Sequence, residues 1–220
     1  MFKKIGILGA AQHAEVIIEM SKHINDLNIT ALFDDKLELQ GKTVHGIPVV
    51  GKIENVWEYL VDKKIDGVLL GVSARQMRLR INLLSRLLEK KVYMPNVLHP
   101  SAWISDSSFI GTGNIFGPNS VVSYKSKVGH SCVFYSNSVL EHHSIIRDNV
   151  YMGPGAKTAA DVNIGSNSYI GTNATIIPHI SIVKDSVIAA GCVVTKNVMQ
   201  ASLISGVPGV IKRSNSYEVQ

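Results

Sequence analysis

The sequence predicts two domains of different class, an α/β N-terminal Rossmann-like domain over residues 1–98 and an all-β parallel β-helix of hexapeptide repeats over residues 99–220. Three observations predict this. In the first part, short apolar runs alternate with segments of helical period. From Ile104 the chain divides without a gap into sixteen hexads, ISDSSF to VTKNVM, and the first position is apolar in fifteen of them, with Thr158 as the exception. The fifth position is mostly small, while Gly, Asn, Asp and Pro gather at positions two to four, as a short strand followed by a tight turn requires.

Taken in order, KKIGILG at residues 3–9 reads as a strand and GAAQHAEVIIEMSKH as a helix, with apolar residues at 14, 16, 17, 18 and 20. ITALFDD is a second strand, IPVVG a short third, IENVWEYLVDK a helix and DGVLLGV a further strand. RQMRLRINLLSRLLEKK is an amphipathic helix with Met77, Ile81, Leu84 and Leu88 on one stripe. Strands alternating with helices imply a small parallel sheet. In the repeat, an α-helix needs apolar residues at three and four, and a hairpin sheet needs strict alternation with wider turns. Neither fits.

Composition narrows the function classes. The chain has 220 residues, 45% hydrophobic and 18% charged, with a formal net charge of +5 and a pI near 9.1. Its lysines and arginines are dispersed, which argues against nucleic acid, whose binders concentrate basic residues on one face. Cys132 and Cys192 have no metal-ligand spacing, and the expectation is a reducing, cytoplasmic setting. No stretch reaches the ~18 apolar residues of a membrane span.

Three places attract chemistry. The first turn, GILGAAQHAEV, keeps only Gly6 and Gly9 of a dinucleotide fingerprint, so NAD binding is disfavoured. A strand-to-helix turn that offers backbone N–H groups to phosphate remains. FDDK ends the second strand with Asp34 and Asp35, either ribose or base ligands or solvated turn carboxylates. Gly71, Ser73 and Arg75 follow DGVLLGV, at the carboxyl end of a strand where open parallel sheets bind ligands. In LEHHSI, Leu140 points inward and His142 and His143 stand at a corner, available for chemistry or merely solvated. A metal site from His142, His143 and His130 is disfavoured, because adjacent side chains diverge and no carboxylate or cysteine completes the set.

The βαβ start, the gapless hexads and the string EHHSIIRDNVYMGPGAKTAADVNIGSNSYIGTNATIIP together resemble the NeuD/PglD family of sugar acetyltransferases, as do GAAQHAEV, FDDK, GIPVVG and SGVPGVIKR. The resemblance implies a left-handed β-helix with three hexads per coil, a homotrimer with sites between prisms, and acetyl-CoA as co-substrate without a metal. It implies N-acetylation of a nucleotide-linked amino sugar, at the 4-amino position, in surface glycan biosynthesis. Alternatives are O-acetylation of sialic acid or a related nonulosonate, and a catalytically silent nucleotide-sugar-binding scaffold. By resemblance His142 is the catalytic base, transferring the acetyl group without an acyl-enzyme. The family commonly places Glu immediately after that histidine, where this chain has His143. Two imidazoles do not reproduce a carboxylate anchor, so either Glu141 or an acid from a neighbouring subunit substitutes, or the base is weaker or the activity has been lost. The resemblance further implies acceptor contacts at Gly9, Ala10, His13, Asp34, Asp35, Lys36, Gly71, Ser73 and Arg75. It places an oxyanion donor at the turn of Ala160 and CoA contacts at Thr172, Ala190, Pro208 and Lys212.

Overall fold

The computed structural model describes residues 3–24 and 27–214. The chain divides into two compact units, Met1–Val97 and Leu98–Gln220.

The first unit is an α/β sandwich. β1 (Lys3–Leu8), β2 (Leu27–Phe33), β4 (Ile47–Gly51) and β5 (Gly67–Leu70) run parallel, and the short β3 (Thr43–Val44) joins antiparallel to β4, giving the order β3-β4-β2-β1-β5. At two residues, β3 is too short to show a strand period in the sequence. It is closed by His45 and Gly46, both at positive φ (49° and 80°), the geometry of a two-residue hairpin turn. The helices are α1 (Gln12–Ser21), α2 (Val56–Val61) and α3 (Met77–Glu89). Ile5, Ile7, Leu32, Phe33, Val68 and Leu69 are almost wholly buried.

Two helix faces are rotated from the sequence expectation. On α1 the buried side is His13, Ala14, Ile17, Ile18, Met20 and Ser21, while Val16 is exposed. On α3 it is Met77, Arg80, Leu83, Leu84 and Leu87, while Leu88 is exposed. A stripe chosen by hydrophobicity alone passes over a buried arginine, because polar groups can enter a core when their hydrogen bonds are satisfied.

The second unit is a three-faced, left-handed parallel β-helix. Each hexad contributes a two-residue strand from its sixth position and the next first position, and strands eighteen residues apart pair in parallel, as in Val121↔Val139 and Val139↔Lys157. The first face runs from Trp103–Ile104 to Val193–Val194, the second from Phe109–Ile110 to Ser181–Ile182 and the third from Ile115–Phe116 to Val187–Ile188. Ser202–Ser205 and Val210–Ser214 extend the third face, the latter antiparallel. From Phe116 to Val194 every first-position side chain is at most 3% exposed.

Thr158, the one polar first position, lies inside, where its Oγ1 accepts the Glu141 N–H at 3.2 Å. Fifth-position residues such as Ser126, Cys132, Ser144, Ala174 and Cys192 are buried beside the corners. The fourth position has positive φ in fourteen consecutive hexads, Gly113 to Gly191, and ten of these residues are Gly, Asn or Asp. These residue types enter the left-handed region at least cost. His143 is one of the four exceptions, at φ 58°.

Candidate functional site

The cleft of the first unit lies at the carboxyl ends of β1, β2 and β5. Gly9 N–H donates to Phe33 O and Gly71 N–H to Leu8 O, both at 2.7 Å, so the strand ends are tied together there. They also approach too closely for side chains. A Cβ on Gly71 would lie 2.4 Å from Ile7 Cγ2, and one on Gly9, at φ 105°, would lie 2.8 Å from the Gly71 carbonyl carbon. The resulting cavity of ≈ 290 Å³ is lined by Gly9, Asp34, Asp35, Lys36, Gly71, Ser73 and Arg75 among others.

Ala10 and His13 do not line it. Ala10 is buried, and its N–H donates to Asp34 Oδ2 at 2.8 Å. Asp34 Oδ1 accepts the Lys36 N–H at 3.0 Å, and Asp35 Oδ1 accepts the Ile53 N–H at 3.0 Å. These carboxylates therefore shape the loop, and one N–H of the first turn is already occupied. His13 is 5% exposed and neutral, its pKa held at about 3 by burial and then by the Arg80 guanidinium.

Arg80 is the residue that the sequence did not reveal. Only 1% exposed, it donates from Nη1 to Leu70 O at 3.2 Å and to Val72 O at 2.6 Å. It thus holds the loop that presents Gly71, Ser73 and Arg75. The available signal was its position one turn after Met77 on the buried side.

In the second unit the LEHHSI corner joins the first face to the second. Leu140 and Ser144 are fully buried and anchor its ends. Between them the backbone is fixed from both neighbouring coils. His143 N–H donates to Tyr124 O at 2.9 Å, Ser126 Oγ to Glu141 O at 3.0 Å, and Asp161 N–H to His142 O at 3.1 Å. The two imidazoles are exposed, with Nδ1 of His142 2.9 Å from Nδ1 of His143. The rings stand at 88° to each other, and the Tyr124 ring lies edge-on to His143 at 5.7 Å.

Glu141 does not reach either ring. Its Oε2 accepts the backbone N–H of His142 at 3.3 Å, so the expected substitution of Glu141 for the missing anchor is not what the structure contains. The adjacent side chains do not diverge as expected; they meet. His130 stands at a different corner, where its Nδ1 accepts the Thr112 N–H at 3.1 Å. Among the described residues no group of three His, Cys, Asp or Glu is placed to hold a metal.

Ala160 follows His142 by eighteen residues, at the same corner one coil on. Beside it, Asp161 Oδ2 pairs with His179 Nδ1 at 2.9 Å, a pair that the eighteen-residue spacing could have disclosed. Thr172 and Ala190 are exposed at another corner, between the third face and the first. Pro208 and Lys212 are exposed on the hairpin that extends the third face. One prism therefore presents the His142 corner and the Thr172 corner on opposite edges of its first face. Cys132 and Cys192 are buried, and burial pushes the Cys192 thiol up, away from nucleophilic use.

A Rossmann-like unit with a carboxyl-end cleft and a hexapeptide β-helix with a histidine corner define a two-part hexapeptide-repeat protein. Residues 4–82 match the family model of the PglD N-terminal domain. Over its whole length the chain is similar in structure to sugar acetyltransferases of the NeuD/PglD type.

Its structure is similar to that of a histidine-to-alanine variant of GDP-perosamine N-acetyltransferase from Caulobacter crescentus, in complex with CoA and GDP-perosamine. The identity is 25% over 96% of this chain and 98% of that one, with a TM-score of 0.88. WeeI from Acinetobacter baumannii AYE shares 27% identity over 94% of this chain and 98% of that one, with a TM-score of 0.80. The acetyltransferase domain of PglB from Neisseria gonorrhoeae FA1090, in complex with acetyl coenzyme A, shares the fold at 22% identity, 96% and 100% coverage and a TM-score of 0.85. No curated protein matches the chain.

Proposed function

We propose that the protein transfers the acetyl group of acetyl-CoA to the amine of a nucleotide-linked amino-deoxy sugar, with His142 as general base. The observation that carries this reading is the exposed His142 imidazole on a corner whose backbone is fixed from the coils on both sides. The similarity to GDP-perosamine N-acetyltransferase supports the substrate class.

In the reaction, the neutral amine attacks the thioester carbonyl carbon while Nε2 of His142 takes its proton. The C–S bond then breaks, and the CoA thiolate leaves with the proton from His142. A neutral imidazole within reach of the amine is the group such a proton transfer needs. The turn at Ala160 supplies a backbone N–H toward the tetrahedral oxyanion. Lys36 and Arg75 on the first-unit cleft face the nucleotide phosphates, and Lys212 faces those of CoA.

The Thr172 corner, where we place CoA, is not the His142 corner. A complete site therefore joins the His142 edge of one prism to the Thr172 edge of another, which we read as a homotrimer.

The test is thiol release from acetyl-CoA with UDP-, GDP- and dTDP-linked 3- and 4-amino sugars and with free sialic acid. Turnover with a nucleotide amino sugar, falling about 10²- to 10⁴-fold in kcat in His142→Ala, is expected. Turnover with sialic acid alone would replace this reading with O-acetylation. CoA binding without turnover on any acceptor would favour a silent scaffold.

A further inference from the structure

A base acting through Nε2 must keep its own proton on Nδ1, and an imidazole left to itself does not hold that tautomer. The residue that holds a histidine's tautomer is normally an acceptor facing the other ring nitrogen. At this corner, Glu141 is turned to the backbone and Asp161 is paired with His179, 2.9 Å away. What faces His142 Nδ1 is His143 Nδ1, at 2.9 Å.

Two ring nitrogens at that distance attract only when one proton lies between them. If the proton belongs to His142, then His143 carries its own on Nε2, and the Nε2 lone pair of His142 is free toward the substrate. The backbone fixes the contact itself, since a left-handed φ of 58° and the bond from His143 N–H to Tyr124 O set the direction of the second ring, against the Tyr124 edge.

We infer that His143 is the positioning residue of the reaction, a neutral acceptor that fixes His142 in its Nδ1–H tautomer where a carboxylate would ordinarily stand. This rests on the general-base reading above. When His142 takes the substrate proton at Nε2, its Nδ1–H becomes the stronger donor, and the positive charge is shared along the Nδ1–H···Nδ1 contact. The pair goes from neutral to +1, whereas an imidazole–carboxylate pair goes from −1 to neutral.

The fold itself supplies the test residues, because Gly, Asn and Asp occupy this position in ten of the fourteen hexads. His143→Gly removes the acceptor and keeps the left-handed backbone. His143→Asn places an amide oxygen near the lost Nδ1, and His143→Asp adds a charge to it. The charged and titratable groups around the pair, namely Tyr124, Lys125, Glu141, Asp161 and His179, are the same in all three.

We expect His143→Gly to lower kcat by about 10- to 100-fold with KM nearly unchanged. His143→Asn should recover most of the loss, and His143→Asp should move the acid limb of kcat/KM to higher pH. Independently of any acceptor, ¹⁵N spectra of selectively labelled protein should show His142 protonated at Nδ1 in the wild type and in His143→Asn, but not in His143→Gly. A wild-type His142 protonated at Nε2, or a His143→Gly variant with unaltered kcat and tautomer, would overturn the inference. If no acceptor is turned over, the general-base reading fails, while the spectra still decide whether His143 sets the tautomer.

Discussion

His13 makes the stability of the first unit depend on pH in a way that can be worked from its burial. The side chain is 5% exposed, and burial followed by the Arg80 charge lowers its pKa from 6.5 to about 3. The folded state binds this proton less readily than the unfolded chain, so the contribution is fully present above the unfolded value and is lost as pH falls from 6.5 toward 3. With one pH unit worth about 1.4 kcal/mol in that window, moving from pH 7 to pH 5 removes about 2 kcal/mol.

The assay is urea unfolding followed by Trp57 fluorescence in a Trp103→Phe background, so that the emission comes from the first unit. Wild type and His13→Leu are compared at pH 5, 6 and 7. His13→Leu carries a constant offset from its altered packing, but its stability should fall about 2 kcal/mol less over the interval. Parallel pH curves for the two proteins would refute the argument.

Two further outcomes follow from buried polar contacts. Arg80→Met should destabilise the first unit by about 3–5 kcal/mol, since it strands the Leu70 and Val72 carbonyls. It should also weaken nucleotide protection in a melting assay by loosening the Ser73 loop; unchanged melting and protection would count against both effects. Thr158→Val keeps the shape of the prism interior but removes the acceptor of the Glu141 N–H, with an expected cost of about 1–2 kcal/mol by urea unfolding. A neutral or stabilising result would mean that this N–H finds another partner.

The sequence alone determined the β-helix almost completely. A period of six with an apolar first position and small fifth position has one economical solution, because each hexad must bury the same two positions and turn at the same four. Even the exception was visible there, although only the fold showed that Thr158 accepts the backbone N–H of the histidine corner. The order of elements in the first unit was legible for a similar reason, since strand and helix periods differ. The buried faces of α1 and α3 were not, because His13 and Arg80 are polar, and Arg80 enters the core through the Leu70 and Val72 carbonyls that the fold brings beside it.

The histidine corner divides in the same way. Spacing put His142 and His143 at a turn, but their meeting at Nδ1 depends on a positive φ and on bonds to coils eighteen residues before and after. The use of Asp34 and Asp35 as loop braces depends likewise on contacts with Ala10 and Ile53. Local periodicity is written residue by residue along the chain, whereas side-chain direction is set by partners that only folding brings together.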